Sequence, residues 1–131
     1  MINWAVLILR LALGTIFILH GAQKAFGMFA GPGIEGFSKM LSGLGFQPAI
    51  FWAYLAAYTE FFGGLLIVLG IFTRFASAAI LILLIAAALT VHLKNGFFLQ
   101  NGGIEYIFVL AGISIALILI GPGKFSIFGK P

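Results

Sequence analysis

Two charged side chains lie inside apolar runs of this sequence, where a charge needs a partner. Arg10 lies within the first run and Glu60 near the middle of the second. If these runs cross a bilayer, each lone charge costs about 2.5–3.5 kcal/mol on insertion scales. We therefore predict that Arg10 and Glu60 face each other at mid-depth. The pair is either a structural staple between two helices or a ligand- or proton-binding pair inside a cavity.

A second set of polar residues lies where apolar runs end. The stretch 90–106 holds one of the two histidines and one of the three acidic residues. Near the end of the first run, His20 and Lys24 have i, i+4 spacing and are neighbours on one helix surface. The candidate ligand-binding residues are therefore Arg10, His20, Gln23, Lys24, Glu60, His92, Asn95, Asn101 and Glu105. The alternative for the stretch is a solvated loop, polar only because it has left the lipid.

This set favours hydrogen bonding and proton exchange over metal binding or covalent catalysis. Imidazole titrates near neutral pH, so His20 or His92 could exchange protons near the membrane surface. Two histidines and a carboxylate are metal-ligand types, but the sequence has no H-x-x-E or H-E-x-x-H spacing, and we predict no metal site. No nucleophile–base triad or phosphate-binding loop is present either. Catalytic residues therefore stay unassigned.

The composition indicates which elements position these residues. The chain has 131 residues, of which 63% are hydrophobic and 8% are charged, whereas soluble domains are about 45–50% apolar and about 25% charged. A chain this short cannot hide so much apolar surface from water. We therefore predict a single all-α membrane domain over residues 1–131, with lipid as its solvent.

Four apolar runs predict a bundle of four transmembrane helices, since a crossing takes about 20 residues. The predicted spans are about 4–26, 49–72, 75–91 and 106–120. Between the first two, apolar residues at helical spacing over 34–41 predict a short amphipathic helix at the membrane interface. Gly14 and Gly21 on the first span would let another backbone approach closely. Ala56, Glu60, Gly63 and Gly64 make a similar small-residue surface on the second span.

Charge and cysteine usage exclude several classes of function. The net charge is +4, but the basic residues are scattered singly, which argues against nucleic-acid binding. The absence of cysteine excludes disulfides and dithiol chemistry on this chain, so a redox role needs a partner or a bound molecule. Arg74 and Lys124 lie at span ends, and we expect both termini, with the basic tail over 124–131, in the cytoplasm.

Short motifs occur in a fixed order along the chain. They are LRLALG at 9–14, HGAQK at 20–24, AY at 53–54, EFFGG at 60–64, LGIFTR at 69–74, TVH at 90–92, NGFF at 95–98, NGG at 101–103, EY at 105–106 and GPGK at 121–124. Together they resemble the DoxX family of small four-helix membrane proteins. The resemblance covers nearly the whole chain, and its motifs contain the candidate residues chosen above.

The resemblance implies a multi-pass protein of a bacterial or archaeal inner membrane. Relatives in the family are linked to thiosulfate–quinone oxidoreductase subunits, to catechol and quinone stress, and to redox complexes that contain a superoxide dismutase and a sulfurtransferase. It therefore implies a lipid bilayer and a soluble redox enzyme or oxidoreductase subunit as partners. Whether the chain is itself an enzyme stays open, and it is at most a subunit of a membrane oxidoreductase.

Three functions are compatible with these observations. The first is a redox-associated subunit that has no intrinsic cofactor and binds a quinone or small aromatic molecule, with Phe26, Phe29, Phe97 and Phe98 as stacking candidates. The second is a non-catalytic scaffold that recruits soluble redox enzymes through residues 27–50 and the stretch 90–106. The third is a small transporter, which four spans could form only as an oligomer.

Overall fold

Five α-helices account for most of the chain. The structure, a computed structural model, describes residues 1–127, which contain no strand. The helices are α1 (Ile2–Phe26), α2 (Gly33–Gly43), α3 (Ala49–Leu69), α4 (Thr73–Ala87) and α5 (Glu105–Ile120). A π-helical turn at Ala88–His92 extends α4, and short 3₁₀ turns cover Leu93–Asn95 and Leu99–Asn101. The prediction of an all-α fold is confirmed.

Three helical segments are long and apolar enough to cross a membrane. They are Ile2–Phe26, Ala49–Leu69 and Thr73–Asn95. The fourth predicted span, α5, is equally apolar but has only 16 residues, about 24 Å at 1.5 Å per residue. The predicted helix over 34–41 is also present, as the longer α2. The basic tail is described only as far as residue 127, so Lys130 lies outside the described residues.

Close backbone contact joins α1 to α3, and small residues permit it. A Cβ added at Gly21 would lie 2.5 Å from the backbone nitrogen of Phe61, and one at Gly64 would lie 2.7 Å from the carbonyl oxygen of Gly14. No larger side chain fits these positions without moving a backbone. Gly14, Gly21 and Gly64 therefore form the close interface between α1 and α3, whereas Gly63 faces Ile80 of α4.

The helices alternate in direction, so the bundle has two distinct ends. The terminal end holds the start of α1, the end of α3, the start of α4 and the end of α5. The loop end holds α2, the start of α3 and the segment 93–104. A core of apolar side chains fills the space between α1, α3, α4 and α5. Its fully buried members include Val6, Leu13, Ile67, Ile80 and Leu117.

A second, smaller core lies at the loop end. There α2 places Phe37 and Leu41 against Ala49, Ala53 and Ala57 of α3. The three alanines repeat every four residues, so they form one small-residue stripe on which α2 rests. This packing holds α2 beside the first half of α3, and it encloses the space in which the candidate site lies.

Candidate functional site

The predicted ion pair between Arg10 and Glu60 is wrong. Arg10 is 2% exposed, but its guanidinium donates hydrogen bonds to backbone carbonyls and not to a carboxylate. Glu60 is paired instead with Lys24, whose Nζ lies 2.7 Å from Oε1 of the carboxylate. Arg10 and Glu60 therefore have different partners and take part in separate interactions.

The register between α1 and α3 explains this difference. Gly14 lies against Gly64, and Gly21 lies against Phe61. Continuing this antiparallel register places Arg10 beside Gly70, where a Cβ would lie 2.9 Å from Nη2 of the arginine, and places Glu60 level with the last turns of α1. Gly70 and Glu60 are ten residues apart along α3 and its C-cap, so the two levels are about 15 Å apart at 1.5 Å per residue. The apolar pattern alone predicts that both charges lie at mid-depth, because it does not determine the register between α1 and α3.

Arg10 ties the C-terminus of α3 to the chain that follows α5. Its Nε donates to the carbonyl of Ile67 at 3.0 Å and its Nη2 to that of Val68 at 2.8 Å. Its Nη1 donates to the carbonyls of Pro122 and Phe125. Carbonyls at a helix C-terminus have no partner within the helix and attract cations. These contacts fit a structural role for Arg10 and not a role in binding a ligand or a proton.

Lys24 and Glu60 form the most buried ion pair within residues 1–127. The side chain of Glu60 is 8% exposed and that of Lys24 is 28% exposed. The ammonium also lies 5.0 Å from the ring centroid of Phe37 on α2, a cation–π contact. The second carboxylate oxygen, Oε2 of Glu60, is buried and has no hydrogen-bond partner. Lys24 therefore satisfies one of the two carboxylate oxygens of Glu60.

A cavity of about 280 Å³ lies beside this pair, between α2, α3 and α4. Lys24 and Glu60 are its charged lining residues. Its remaining walls are mostly apolar and aromatic: Phe37, Met40, Leu41, Leu44, Phe46, Trp52, Leu55, Ala56, Ile82, Leu83, Ala86, Ala87, Thr90 and Val91. A concave apolar site with a few convergent polar groups is typical of a small-molecule binding site.

The aromatic walls of this cavity were not found from the sequence. The four phenylalanines predicted to stack on a ligand, Phe26, Phe29, Phe97 and Phe98, do not line it. Phe26 packs on Tyr58 and Phe61, and Phe97 packs on Phe98 and Phe108. The helical periodicity of residues 34–41 indicates an amphipathic helix, but it does not distinguish a face toward the membrane interface from a face toward protein. In the structure, Phe37 and Leu41 of that face point to α3.

The polar stretch after α4 mainly satisfies its own backbone. His92 Nδ1 lies 2.7 Å from the carbonyl oxygen of Gly102, so Nδ1 carries the proton in this contact. Asn95 Nδ2 donates to the same carbonyl at 3.3 Å. Glu105 Oε1 accepts the backbone N–H of Leu99 at 2.8 Å. Three of the candidate residues, His92, Asn95 and Glu105, therefore hydrogen-bond to backbone groups of the same loop.

The remaining candidates are not brought together. Gln23 donates to the carbonyl of Phe29 at 3.3 Å and supports the turn between α1 and α2. His20 and Asn101 are exposed, and neither side chain has a hydrogen-bond partner within residues 1–127. No group of three metal-ligating side chains occurs in the described part of the chain. Only Lys24 and Glu60 of the nine candidates line the cavity.

A larger groove of about 730 Å³ runs along the outer face of α3 and α4. Its lining includes the stacked pair Tyr54 and Tyr58, whose ring centroids are 5.7 Å apart, and the exposed Phe62 and Phe75. No charged residue lines it. An apolar groove on the outer surface of a membrane helix is expected to hold lipid, so the smaller cavity has the more distinctive chemistry.

Comparison with known proteins agrees with the predicted resemblance. A family model described as DoxX matches residues 5–93, which leaves the motifs after residue 93 outside the match. A protein of Bacillus subtilis (strain 168), named "Putative oxidoreductase CatD", is 35% identical to this chain over 111 residues. The aligned region covers 85% of this chain and 76% of the relative. No solved structure matches the chain significantly.

Proposed function

Since the chain belongs to the DoxX family, we propose that it is a membrane subunit of a redox system and binds a quinone or a similar small aromatic molecule between α2, α3 and α4. The observation that carries this proposal is the ion pair of Lys24 and Glu60 in the wall of an otherwise apolar, partly aromatic cavity. The name of the Bacillus subtilis relative supports a redox role.

The cavity has the size and chemistry for one ring. Its volume of about 280 Å³ is just below the usual range of ligand pockets, which is about 300–1,000 Å³. Lys24 has three N–H donors, of which the carboxylate of Glu60 takes one, and a ring carbonyl is a suitable acceptor for another. The rings of Phe37 and Trp52 line the cavity and offer flat surfaces for stacking.

Electrons must come from another protein under this proposal. The chain has no cysteine, and we assign it no intrinsic cofactor, so it would act as the quinone-binding partner of a soluble redox enzyme or an oxidoreductase subunit. We further propose that α5 forms a fourth span and that the protein lies in a bacterial or archaeal inner membrane with both termini in the cytoplasm. The shared position of α1's start and α5's end at one end of the bundle supports that topology.

Tryptophan fluorescence can test quinone binding directly, because Trp52 lines the cavity and Trp4 lies at the terminal end, where it packs on Phe125. The Trp4→Phe variant leaves Trp52 as the only tryptophan. We expect a short-chain benzoquinone to quench it saturably in detergent, and we expect Lys24→Met to abolish saturation. Lys39→Met, which removes an exposed lysine of α2, is the matched control. Quenching that never saturates would disprove the proposal.

A scaffold remains the second candidate, and one observation favours it. The loop between α4 and α5 exposes apolar side chains, among them Phe98 at 59% and Leu99 at 58%. Such side chains could dock a soluble enzyme. Pull-downs of soluble redox enzymes with the wild-type chain and with a Phe98→Ser/Leu99→Ser variant would test this. Equal recovery with both would remove the loop as a docking surface.

A further inference from the structure

The cavity beside Lys24 and Glu60 has room for a ring but for little more. Its volume is about 280 Å³, whereas sites for larger ligands usually measure about 300–1,000 Å³. Three of its lining residues are apolar and largely exposed at the surface of the bundle, Met40 at 49%, Leu55 at 48% and Ile82 at 66%. In a membrane these side chains face lipid. A ligand that passes them therefore comes from the bilayer, and any part of it beyond the ring lies outside the cavity.

The larger outer groove adjoins this cavity at Leu55, which lines both spaces. The helix α4 connects them as well. Ala76 and Ala79 line the groove, and Leu83 and Ala86 line the cavity. These four residues follow one another at spacings of three and four, so they lie on one face of α4. The groove and the cavity are therefore successive parts of one apolar space along that face.

The groove has the length and the polarity that suit a hydrocarbon chain. Its volume is about 730 Å³, and no charged residue lines it. Its lining on α3 runs from Ile50 to Leu66, about 24 Å at 1.5 Å per residue. Three of its lining residues are small, Gly63, Ala76 and Ala79, which leaves room for a chain between α3 and α4. An acyl chain of a lipid fits such a groove too, but only a chain attached to a ring is held at one end by the cavity.

We infer, on the basis of the proposed function, that the ligand is a membrane-resident quinone with a long hydrocarbon tail, and that its tail leaves the cavity past Leu55 and lies along the outer groove. A hydrocarbon chain gains little by leaving lipid, because lipid tails are equally apolar. The ring therefore supplies most of the affinity through its contacts beside Lys24, and the groove determines where the tail lies. A small water-soluble aromatic molecule would leave the groove to lipid.

A photoreactive tail can locate the chain. The probe is a benzoquinone whose decyl tail ends in a diazirine, added in detergent to the full chain carrying Trp4→Phe. Saturable quenching of Trp52, which lines the cavity, reports binding of the ring. Peptide mapping after irradiation reports the position of the tail, and decyl benzoquinone without the diazirine corrects for photochemistry of the ring. We expect the label within residues 62–79, which contain the groove residues at the end of α3 and the start of α4.

Ala79→Leu separates the tail from the ring, because Ala79 lines the groove and not the cavity. In this variant the label should leave residues 62–79, while quenching of Trp52 by the same probe should still saturate. Ala12→Leu places the same side chain on the exposed face of α1 and should leave the label in the groove. Lys24→Met, which removes the contact that holds the ring, should reduce the label in the groove to the level given by a decyl diazirine without a ring.

The outcomes separate this inference from the proposed function. Saturable quenching together with a label spread over the lipid-facing residues overturns the position of the tail and leaves the quinone site standing. A label in the groove that Ala79→Leu does not move has the same meaning. Quenching that never saturates overturns the quinone site and the tail position together. If Ala79→Leu does not fold, the wild-type chain decides, since equal labelling of the groove by the probe with the ring and the probe without it also overturns the inference.

Discussion

Lys24 Nζ lies 2.7 Å from Oε1 of Glu60, which joins the last turn of α1 to the middle of α3. This contact depends on the register of α1 and α3 as well as on the opposite charges of the two side chains. It fixes which residues of the two helices lie at the same depth. It also places the charged pair of the cavity closer to the loop end of the bundle than Arg10 lies.

The first prediction concerns the stability of this pair. Lys24→Met leaves the buried carboxylate of Glu60 without its partner. Breaking a fully buried pair costs about 3–5 kcal/mol, and since Lys24 is 28% exposed, screening by solvent reduces our expectation to about 2 kcal/mol. The double variant Lys24→Met/Glu60→Leu removes both charges and should recover most of this loss.

Thermal unfolding of both variants in detergent measures the difference. Lys39→Met should unfold at the wild-type temperature, because its side chain is exposed and has no ion-pair partner in the described part of the chain. A double variant that is less stable than Lys24→Met would show that the two charges do not act as a pair.

The second prediction separates Arg10 from the binding site. Arg10 makes four hydrogen bonds to carbonyls from the end of α3 and from the chain after α5. A lysine keeps the charge but lacks the planar fork of donors. We expect Arg10→Lys to destabilise the protein by about 3 kcal/mol, since hydrogen bonds from charged groups contribute about 1.5–3 kcal/mol each.

Arg74→Lys is the matched control for Arg10→Lys. Arg74 also donates to helix-end carbonyls, those of Leu119 at 3.4 Å and Ile120 at 3.3 Å, but it is exposed and these bonds are long. Its replacement should change stability by less than about 1 kcal/mol. The affinity for the short-chain benzoquinone, measured from Trp52 fluorescence, should be unchanged in folded Arg10→Lys. Loss of binding without loss of stability would return Arg10 to the ligand site.

Much of the fold could be predicted from the sequence, because the lengths of the apolar runs and the glycines between them indicate where membrane helices begin and end. The helical segments and the glycine faces of α1 and α3 were predictable in this way. The pairing of charges was not, since a register change of a few residues along α1 alters the partner of Glu60 without altering any apolar pattern. Arg10 was harder still, because its partners are backbone carbonyls that no residue type marks.

The cavity could not be predicted for a related reason. An amphipathic helix such as α2 can lie on lipid or on protein with the same periodicity, and only tertiary packing decides. The small alanine stripe on α3 and the buried Phe37 decide it here. Conversely, the polar stretch at 90–106 has the composition of a binding site, yet His92 and Glu105 hydrogen-bond to backbone groups of the loop.

The third prediction concerns the close approach of α1 and α3. Gly21→Ala places a Cβ within 2.5 Å of the backbone of Phe61, which cannot move away cheaply. We expect a loss of about 2–3 kcal/mol in the free energy of unfolding from overpacking.

Gly112→Ala on α5 is the control, because nothing lies within 4 Å of its added Cβ, and helix propensity favours alanine over glycine. Thermal unfolding should show Gly112→Ala at or above wild type. Equal effects of the two substitutions would argue against this interface.

The last prediction tests whether the cavity is the place of ring binding. Ala56 lines the cavity between α2, α3 and α4, whereas Ala79 lines the larger outer groove. Ala56→Leu adds three carbon atoms to a space of about 280 Å³ and should weaken binding of the short-chain benzoquinone at least about tenfold by direct competition for volume. Ala79→Leu adds the same atoms on the outer face of the bundle and should leave the affinity unchanged. Both variants keep the charges of Lys24 and Glu60, so a loss of binding confined to Ala56→Leu locates the ring in the cavity. The opposite result, with Ala79→Leu as the defective variant, would move the ligand to the outer groove and leave the ion pair a structural contact.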